Sequence, residues 1–536
     1  MTEPRWQAVG ALLLCSLAVV MLATVSDYGL TWDEEFQSNY GELILAWFAS
    51  GFQNDGALQY RNLYLYGGLF DVAAQLFART SPLDLYEDRH LVNVAVGLLA
   101  LAGTWRLGHL VVGRRGGVLA LAIAALTPMF YGHSFNNPKD IPFAAAFVWA
   151  LCHLVESARA LPAIDYRATV KLCISLGLVL AIRPGGIFFL SFIGVWWGYS
   201  IHRVRSGRVA LLRAAGTLMV VVAGAWALML ICWPWAQTSP LLNPLRAMRR
   251  AGRFSFGGTT LLLGEQVPAQ NPPLEYLPAW FSVQLPEVYF LAGAAAVIAV
   301  WFKQRPPATT DADTDYPGRA HELPALVCVV AMPVVLAITL RSTLYDAVRH
   351  FLFLVPPLAV LAAAGFDRAL RPPVPRYLRA LIAAAALAAG AVTAVDMIAL
   401  HPYQSVYFNR VVAGSLRGAA GRFETDYWGN TYREAVEWVV SNVPGTGIRV
   451  ANCSYPLQSA YYLRGSSASR FVPVAMESQP DLLLATTRWD CHQQPGARVL
   501  HRVERQGVPL AYVLDLRRPG SASPPKDISS DGARPR

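Results

Sequence analysis

The sequence predicts an all-α polytopic membrane protein of about eleven transmembrane helices, with amphipathic surface helices in the first external loop and a small C-terminal α/β domain. Three observations carry that expectation. Of 536 residues, 54% are hydrophobic and 15% charged, whereas soluble domains run at about a quarter charged. The apolar residues gather into runs long enough to cross a bilayer, separated by short arginine clusters. From about residue 400 the long runs stop, and short strand-like and helix-like stretches replace them. The net charge of +10 is carried almost wholly by arginine. Because those arginines sit between apolar runs, they mark cytoplasmic loops and give no footprint for nucleic acid.

The first run, Val9 to Val25, follows Arg5 and precedes an acidic segment, which places the N-terminus in the cytoplasm. No small-residue cleavage site follows it, so it reads as a retained anchor. Residues 27–89 then form the first external loop. Within it, Phe36, Tyr40, Leu43 and Trp47 fall on one helical stripe, with Gln37, Asn39 and Glu42 away from it. A second stripe, Leu65, Leu69, Val72 and Leu76, predicts another helix lying on the membrane. Spans two and three, about Leu91 to Val112 and Val118 to Tyr131, flank the inside marker Gly113-Arg114-Arg115-Gly116. A short external loop, Gly132 to Asp140, leads to span four at Ile141-Pro142. Spans five and six lie either side of Arg183-Pro184-Gly185-Gly186, and span seven ends at Trp233-Pro234-Trp235. A second external loop runs from about 236 to 283. Span eight leads to a Pro/Asp-rich cytoplasmic linker, from Lys303 to about Glu322. Span nine emerges at Arg341, an external loop holds Tyr345 to His350, and spans ten and eleven follow. The transmembrane module is therefore 1–399.

The odd number of crossings puts 400–518 outside as an extracytoplasmic α/β domain. Asn430 to Val443 reads as a helix; Ile448 to Asn452, Asp481 to Thr486, Arg498 to Val503 and Leu510 to Leu516 read as strands. The Pro/Ser/Gly-rich tail, 519–536, has the composition of disorder. Of the seven cysteines, five lie in apolar runs, and no CxxC or Cys/His zinc spacing exists. Cys453 and Cys491 fall in the oxidising compartment, and the sequence leaves their pairing open.

The unusual charges all fall on the external side. Thr31-Trp32-Asp33-Glu34-Glu35 places three carboxylates beside the bilayer, which is costly unless a cation or a reaction uses them. Thr31 and Glu34 also have the spacing of a capping box, so helix capping stands beside a catalytic reading. Lys139 is one of only four lysines, and it alone sits externally at a helix mouth. A phosphate partner would explain it, with Arg183, Arg349 and Arg89 as further candidates; snorkelling or pairing with Asp140 would too. Arg89 equally suits an interfacial anchor, and histidines placed like His133 and His350 are more often structural hydrogen-bonding residues than ligands. Carboxylates and cations at one membrane surface suit group transfer from a lipid phosphate. A carboxylate takes the acceptor's proton, while cations stabilise the charge that grows on the departing phosphate.

Asp33-Glu34 after the first span, two surface helices in that loop, and Asn137-Pro138-Lys139-Asp140 opening span four resemble the GT-C superfamily. Its members are integral-membrane glycosyltransferases that use polyprenyl-phosphate sugars. The chain is similar to the bacterial branch related to protein O-mannosyltransferases and the lipid A aminoarabinose transferase, best over residues 9–200. The resemblance implies that Asp33 is catalytic, with Glu34 beside it, and that Asp140, with His133 close by, organises the donor phosphate or a metal. A divalent cation, magnesium or manganese, is thus an open expectation. One departure weighs against it: where aminoarabinose transferases carry a Glu-Lys pair, this chain reads Tyr64-Leu65-Tyr66-Gly67-Gly68. Tyr403, Glu424, Asp426 and Trp428, aromatics interleaved with acids, suit an acceptor's sugar or equally a structural seam. The expectation is an inverting glycosyltransferase of the bacterial plasma (inner) membrane. It would move a sugar from a polyprenyl-phosphate donor to a lipid, glycan or protein acceptor, with membrane lipids as its surroundings. A transporter or flippase of lipid-linked sugars is the rival; no inverted repeat or charge deep within a span supports it.

Overall fold

The computed structural model describes residues 3–203, 207–252, 256–302 and 321–517. The expected linker from Lys303 and the tail from Pro519 lie outside the described residues. The chain divides into two units, one of residues 1–28 and 33–423, the other of 29–32 with 424 onwards.

The larger unit is helical. Its first half holds α1 (Glu3–Ala23), α2 (Trp32–Ala49), α3 (Leu69–Ala78), α4 (Leu85–Val112), α5 (Arg114–Ala125), α6 (Pro128–Asn136), α7 (Asp140–Ala160) and α8 (Tyr166–Ile182). Then come α9 (Phe189–Arg203), α10 (Arg208–Leu230), the short α11 (Pro234–Thr238) and α12 (Leu242–Ala251), α13 (Tyr276–Gln284), α14 (Glu287–Trp301), α15 (Glu322–Thr339), α16 (Val355–Ala369), α17 (Arg376–Leu400) and α18 (Ser415–Ala419). Among the described residues, eight helices are long and apolar enough to cross a membrane, and two bent pairs raise the number to ten. The chain is a multi-pass integral membrane protein.

All eleven expected runs are helical, and three differ from a simple span. The third bends by 69° between α5 and α6, where Pro128 starts a new helix. The eighth is the 15-residue α14, and it joins at Leu285-Pro286, with a bend of 97°, to α13, a helix in what was expected to be external loop. The fifth, α8, has 17 residues, about 25 Å of helix, and its Lys171 and Arg167 lower its hydropathy. The loop expected over Gly132 to Asp140 is mostly helix, because α6 continues to Asn136.

Helices α4, α5, α7 and α16 pack on one another as an inner group, whereas α1 and α17 keep most of their surface exposed. The second loop also folds: β1 (Thr259–Leu262) and β2 (Glu265–Pro268) form an antiparallel hairpin. At the end of α7, Glu322 is fully buried and takes Arg159 Nε and Nη2 at 2.7 Å each, tying α15 to α7.

The two stripes expected in the first loop are each displaced by about one position. On α2 the enclosed face comprises Glu34, Gln37, Ser38, Tyr40, Gly41, Ile44 and Trp47, so Gln37 points inward while Phe36 and Leu43 stay half-buried. On α3 the enclosed residues are Phe70, Asp71, Val72, Ala74 and Gln75, and Leu76 is 50% exposed. A hydrophobicity pattern misses such faces because polar side chains with buried partners occupy them.

In the smaller unit, α19 (Tyr432–Asn442) accompanies a five-stranded sheet in the order β4 (Phe471–Pro473), β3 (Ile448–Asn452), β5 (Leu482–Thr486), β7 (Val508–Asp515), β6 (Arg498–Arg505). Strands β3, β4 and β5 run parallel, and β7 opposes β5 and β6. The four expected strands are present, β5 in the middle with every residue buried. The three-residue edge strand β4 is too short to show a pattern. Cys453 and Cys491 are joined by a disulfide, their Cα atoms 6.3 Å apart.

Candidate active site

Three segments far apart in sequence meet through an aromatic cluster. Phe143 lies one turn beyond Lys139, Phe188 ends the turn that begins after Arg183, and Phe353 lies one turn beyond Arg349. Phe353 packs against Phe143 at 5.2 Å and Phe188 at 5.7 Å, with Phe147 at 4.9 Å beneath. Such contacts contribute roughly 0.5–1.5 kcal/mol each beyond their area. They hold the heads of three helical segments together, and each head carries a cation. Asn137 sets the opening of α7: its Oδ1 accepts from the N–H of Lys139 at 3.2 Å and of Asp140 at 2.8 Å, which turns both side chains into the gap. Gly67 lets the preceding Tyr66 reach the same place, since a Cβ there would lie 2.0 Å from the Ala181 carbonyl.

Arg349 is the centre of the cluster. Its side chain is 3% exposed, and Asp346 braces it from below, accepting from Nε at 2.9 Å and pairing with Nη2 at 2.8 Å. Its Nη1 donates to Asp33 Oδ2 at 3.0 Å and to Asp140 Oδ2 at 3.4 Å. Asp140 also takes Arg183 and the Asn137 amide, so its carboxylate is fully engaged. Asp33 differs. Its side chain is 26% exposed, and among the described residues its Oδ1 accepts no hydrogen bond. A carboxylate with one oxygen anchored and the other open can accept a proton in a fixed direction.

Lys139 is held another way. Its Nζ lies 3.9 Å above the Tyr66 ring and, with the Gln37 amide turned as its neighbours require (oxygen to the ammonium, nitrogen to Asp71), donates to the Gln37 side-chain carbonyl at 3.1 Å. Among the described residues it makes no ion pair with a carboxylate. Burial, with Arg183 beside it, lowers its pKa from 10.5 to about 8. The Gln37 amide donates in turn to Asp71 Oδ2 at 2.7 Å, and Asp71 Oδ1 accepts from Arg89 Nη2 at 2.8 Å. Burial raises Asp71 to about 6 against the pull of Arg89. Gly41 permits this contact, because a Cβ there would lie 2.7 Å from the Asp71 carbonyl oxygen.

The cluster thus brings together Asp33, Lys139, Asp140, Arg183 and Arg349. The other singled-out residues lie elsewhere or one contact removed. Glu34 is 1% exposed and its carboxylate faces His90 Nε2 at 2.9 Å. Arg89 pairs with Asp71 through Nη2, its Nε and Nη1 have no hydrogen-bond partner among the described residues, and Gln37 links this pair to the cluster. His133 is buried, with Nδ1 3.3 Å from the Asn137 amide nitrogen; it supports the residue that supports Asp140. Tyr403 is 2% exposed within the larger unit. In the smaller unit Glu424 lies 3.7 Å from Arg488 Nε, and Trp428 is 1% exposed. Asp426 accepts from the N–H groups of Trp428, Gly429, Asn430 and Thr431 and from the Thr431 hydroxyl. Sequence reasoning missed Gln37, Asp71 and Tyr66 as parts of the site. The available signal was a pair of opposite charges, Asp71 and Arg89, each inside an apolar helix.

Among the described residues no group of three His, Cys, Asp or Glu side chains is arranged to hold a metal ion. Asp33 and Asp140 both face Arg349, whose fixed charge stands where a cation between them would go. This donor set does not fit a divalent ion.

The sequence matches no family model and no curated protein. Solved structures do resemble the chain. ArnT from Cupriavidus metallidurans bound to undecaprenyl phosphate is similar over 96% of this chain and 98% of its own, at 15% identity and a TM-score of 0.50. The apo form of the Archaeoglobus fulgidus oligosaccharyltransferase aligns with 89% of this chain and 65% of its own, at 13% identity and a TM-score of 0.46. At this identity the first likeness establishes the fold, which is GT-C-like.

Proposed function

We propose that the chain is an inverting glycosyltransferase that moves a sugar from a polyprenyl-phosphate donor to a hydroxyl acceptor at the outer face of the membrane. The observation that carries this reading is the pairing of an open carboxylate, Asp33, with a lysine that has no carboxylate of its own, Lys139, around one arginine. The uncommitted ammonium and Arg349 Nη1 suit the phosphate, with Arg183 behind Asp140 adding positive potential.

In the reaction, Asp33 Oδ1 accepts the acceptor's hydroxyl proton as that oxygen attacks the anomeric carbon. The bond from that carbon to the phosphate oxygen breaks, and the phosphate leaves with the electron pair. Its growing charge falls between Lys139 and Arg349, which are already in place and need no reorganisation. A single displacement inverts the anomeric carbon. The tail of the lipid has a complementary surface in an apolar cleft of about 400 Å³ between α9 and α15, lined by Phe188, Phe192, Trp196, Val329 and Met332. Phe188 belongs to the aromatic cluster that positions Arg349, so headgroup site and cleft adjoin. The similarity to a structure holding undecaprenyl phosphate supports this donor class.

The experiment is transfer from a radiolabelled polyprenyl-phosphate sugar by the purified protein and its Asp33→Asn variant. Asparagine keeps the size and the contact with Arg349 but takes up no proton, so turnover should fall by about 10³-fold or more while polyprenyl phosphate still binds. Equal turnover by both proteins would remove Asp33 from the chemistry.

A further inference from the structure

A lysine side chain has four rotatable bonds and a strongly hydrated head, so a phosphate-binding lysine must be aimed by something. Carboxylates usually do this, but a carboxylate beside Lys139 would neutralise it and compete with the incoming anion. Here an amide takes that place. The Lys139 ammonium has three donors. One goes to Gln37 Oε1 at 3.1 Å, and the Tyr66 ring, 3.9 Å away, covers a second direction. The third is left for an anion. Gln37 is itself 4% exposed and fixed at its other end, its amide nitrogen donating to Asp71 at 2.7 Å. Asp71, 4% exposed, is fixed in turn by Arg89, which is 1% exposed.

We infer that Gln37 is a positioning residue for the donor phosphate: its side-chain carbonyl aims the Lys139 ammonium without neutralising it, and the buried Asp71–Arg89 pair aims Gln37. The inference rests on the reading that Lys139 receives the phosphate. It accounts for a glutamine on the enclosed face of α2, one turn beyond Asp33, and for a full ion pair placed behind an uncharged side chain. The glutamine separates two charges of opposite sign, so that Asp71 is satisfied by Arg89 and the lysine stays available.

The test is a double-mutant cycle on the full chain in detergent, with sugar-free polyprenyl phosphate as the probe. Lys139→Met should weaken binding by about a hundredfold and Gln37→Met by about tenfold, the range expected for hydrogen bonds to charged groups. The double variant should bind no more than about twofold worse than Lys139→Met alone, because Gln37 acts only through the ammonium. Additive losses, or undiminished binding by Gln37→Met beside a weakened Lys139→Met, would overturn the inference and leave the phosphate site standing. Undiminished binding by Lys139→Met would overturn both. Should Gln37→Met not fold, Gln37→Asn keeps the amide and withdraws it by one methylene. It should lose about fivefold, and binding equal to the native protein would count against the inference.

Discussion

Raising the pH should release the donor phosphate before any arginine is affected, and Lys139 is the reason. Its pKa lies at about 8, against an ordinary 10.5, because it is buried and Arg183 repels its charge. The sign follows from that direction. A lysine whose pKa is lowered carries its charge below about 8 and loses it above, so phosphate affinity is intact at neutral pH and falls on the alkaline side. About nine-tenths of the free protein is charged at Lys139 at pH 7 and about one-tenth at pH 9, a tenfold difference worth about 1.4 kcal/mol. The phosphate completes its own second ionisation near pH 6, so it contributes little over this range. Bound phosphate favours the charged lysine, so the affinity declines by about one decade per pH unit until the raised pKa of the complex is reached. Tyr66, Gln37, Asp33, Asp71, Asp140, Arg183, Arg349 and His350 face the same region. The assay is equilibrium binding of a polyprenyl phosphate from pH 7 to pH 10, with the native protein and with Lys139→Arg. The arginine variant should bind more weakly and show no decline. A decline of the same size in that variant, or a flat native profile to pH 10, would refute the assignment.

Three further outcomes follow from other contacts. Asp71→Ala leaves the Arg89 charge buried and unpaired and should destabilise the protein by about 3–5 kcal/mol, whereas replacing Asp71 and Arg89 together by Leu and Met should restore most of that; equal thermal unfolding of the single variant and the native protein would contradict it. Replacing both Cys453 and Cys491 by serine opens a 38-residue loop, which chain entropy values at about 4 kcal/mol, so proteolysis should quicken within residues 424–517 and leave the helical unit's fragments intact. Asp346→Ala removes the brace beneath Arg349; phosphate affinity should fall by about tenfold or more, and unchanged affinity would show that Arg349 is held by other means.

The helices were legible because a span must be apolar over a fixed length whatever its partners; all eleven runs are helical, and among the described residues up to ten spans are long and apolar enough to cross. Their breaks were partly legible: Pro128 and Pro286 stand at the two bends, yet a proline in an apolar run reads equally as a tolerated first-turn residue. Asp33, Lys139, Asp140, Arg183 and Arg349, which the fold brings together, stood out because each breaks the apolar pattern at a helix head. Gln37 was not, because a glutamine one position off an apolar stripe looks solvated, and its burial is decided by Asp71 and Lys139 from other segments. The same limit explains Glu34 and Arg89, whose partners, His90 and Asp71, are set by tertiary packing. Asp426 shows the same limit: an acid among aromatics suits a sugar, and only the folded chain shows that its carboxylate closes the turn from Trp428 to Thr431.

In the proposed reaction Lys139 and Arg349 receive the phosphate while Asp33 keeps one oxygen free beside it. An experimental structure of the protein with a bound polyprenyl phosphate tests it most directly. Phosphate oxygens should lie within about 3 Å of Lys139 Nζ and Arg349 Nη1, with Asp33 Oδ1 still open. A phosphate seated away from both cations, or direct coordination of it by Asp33 through a metal ion, would contradict it.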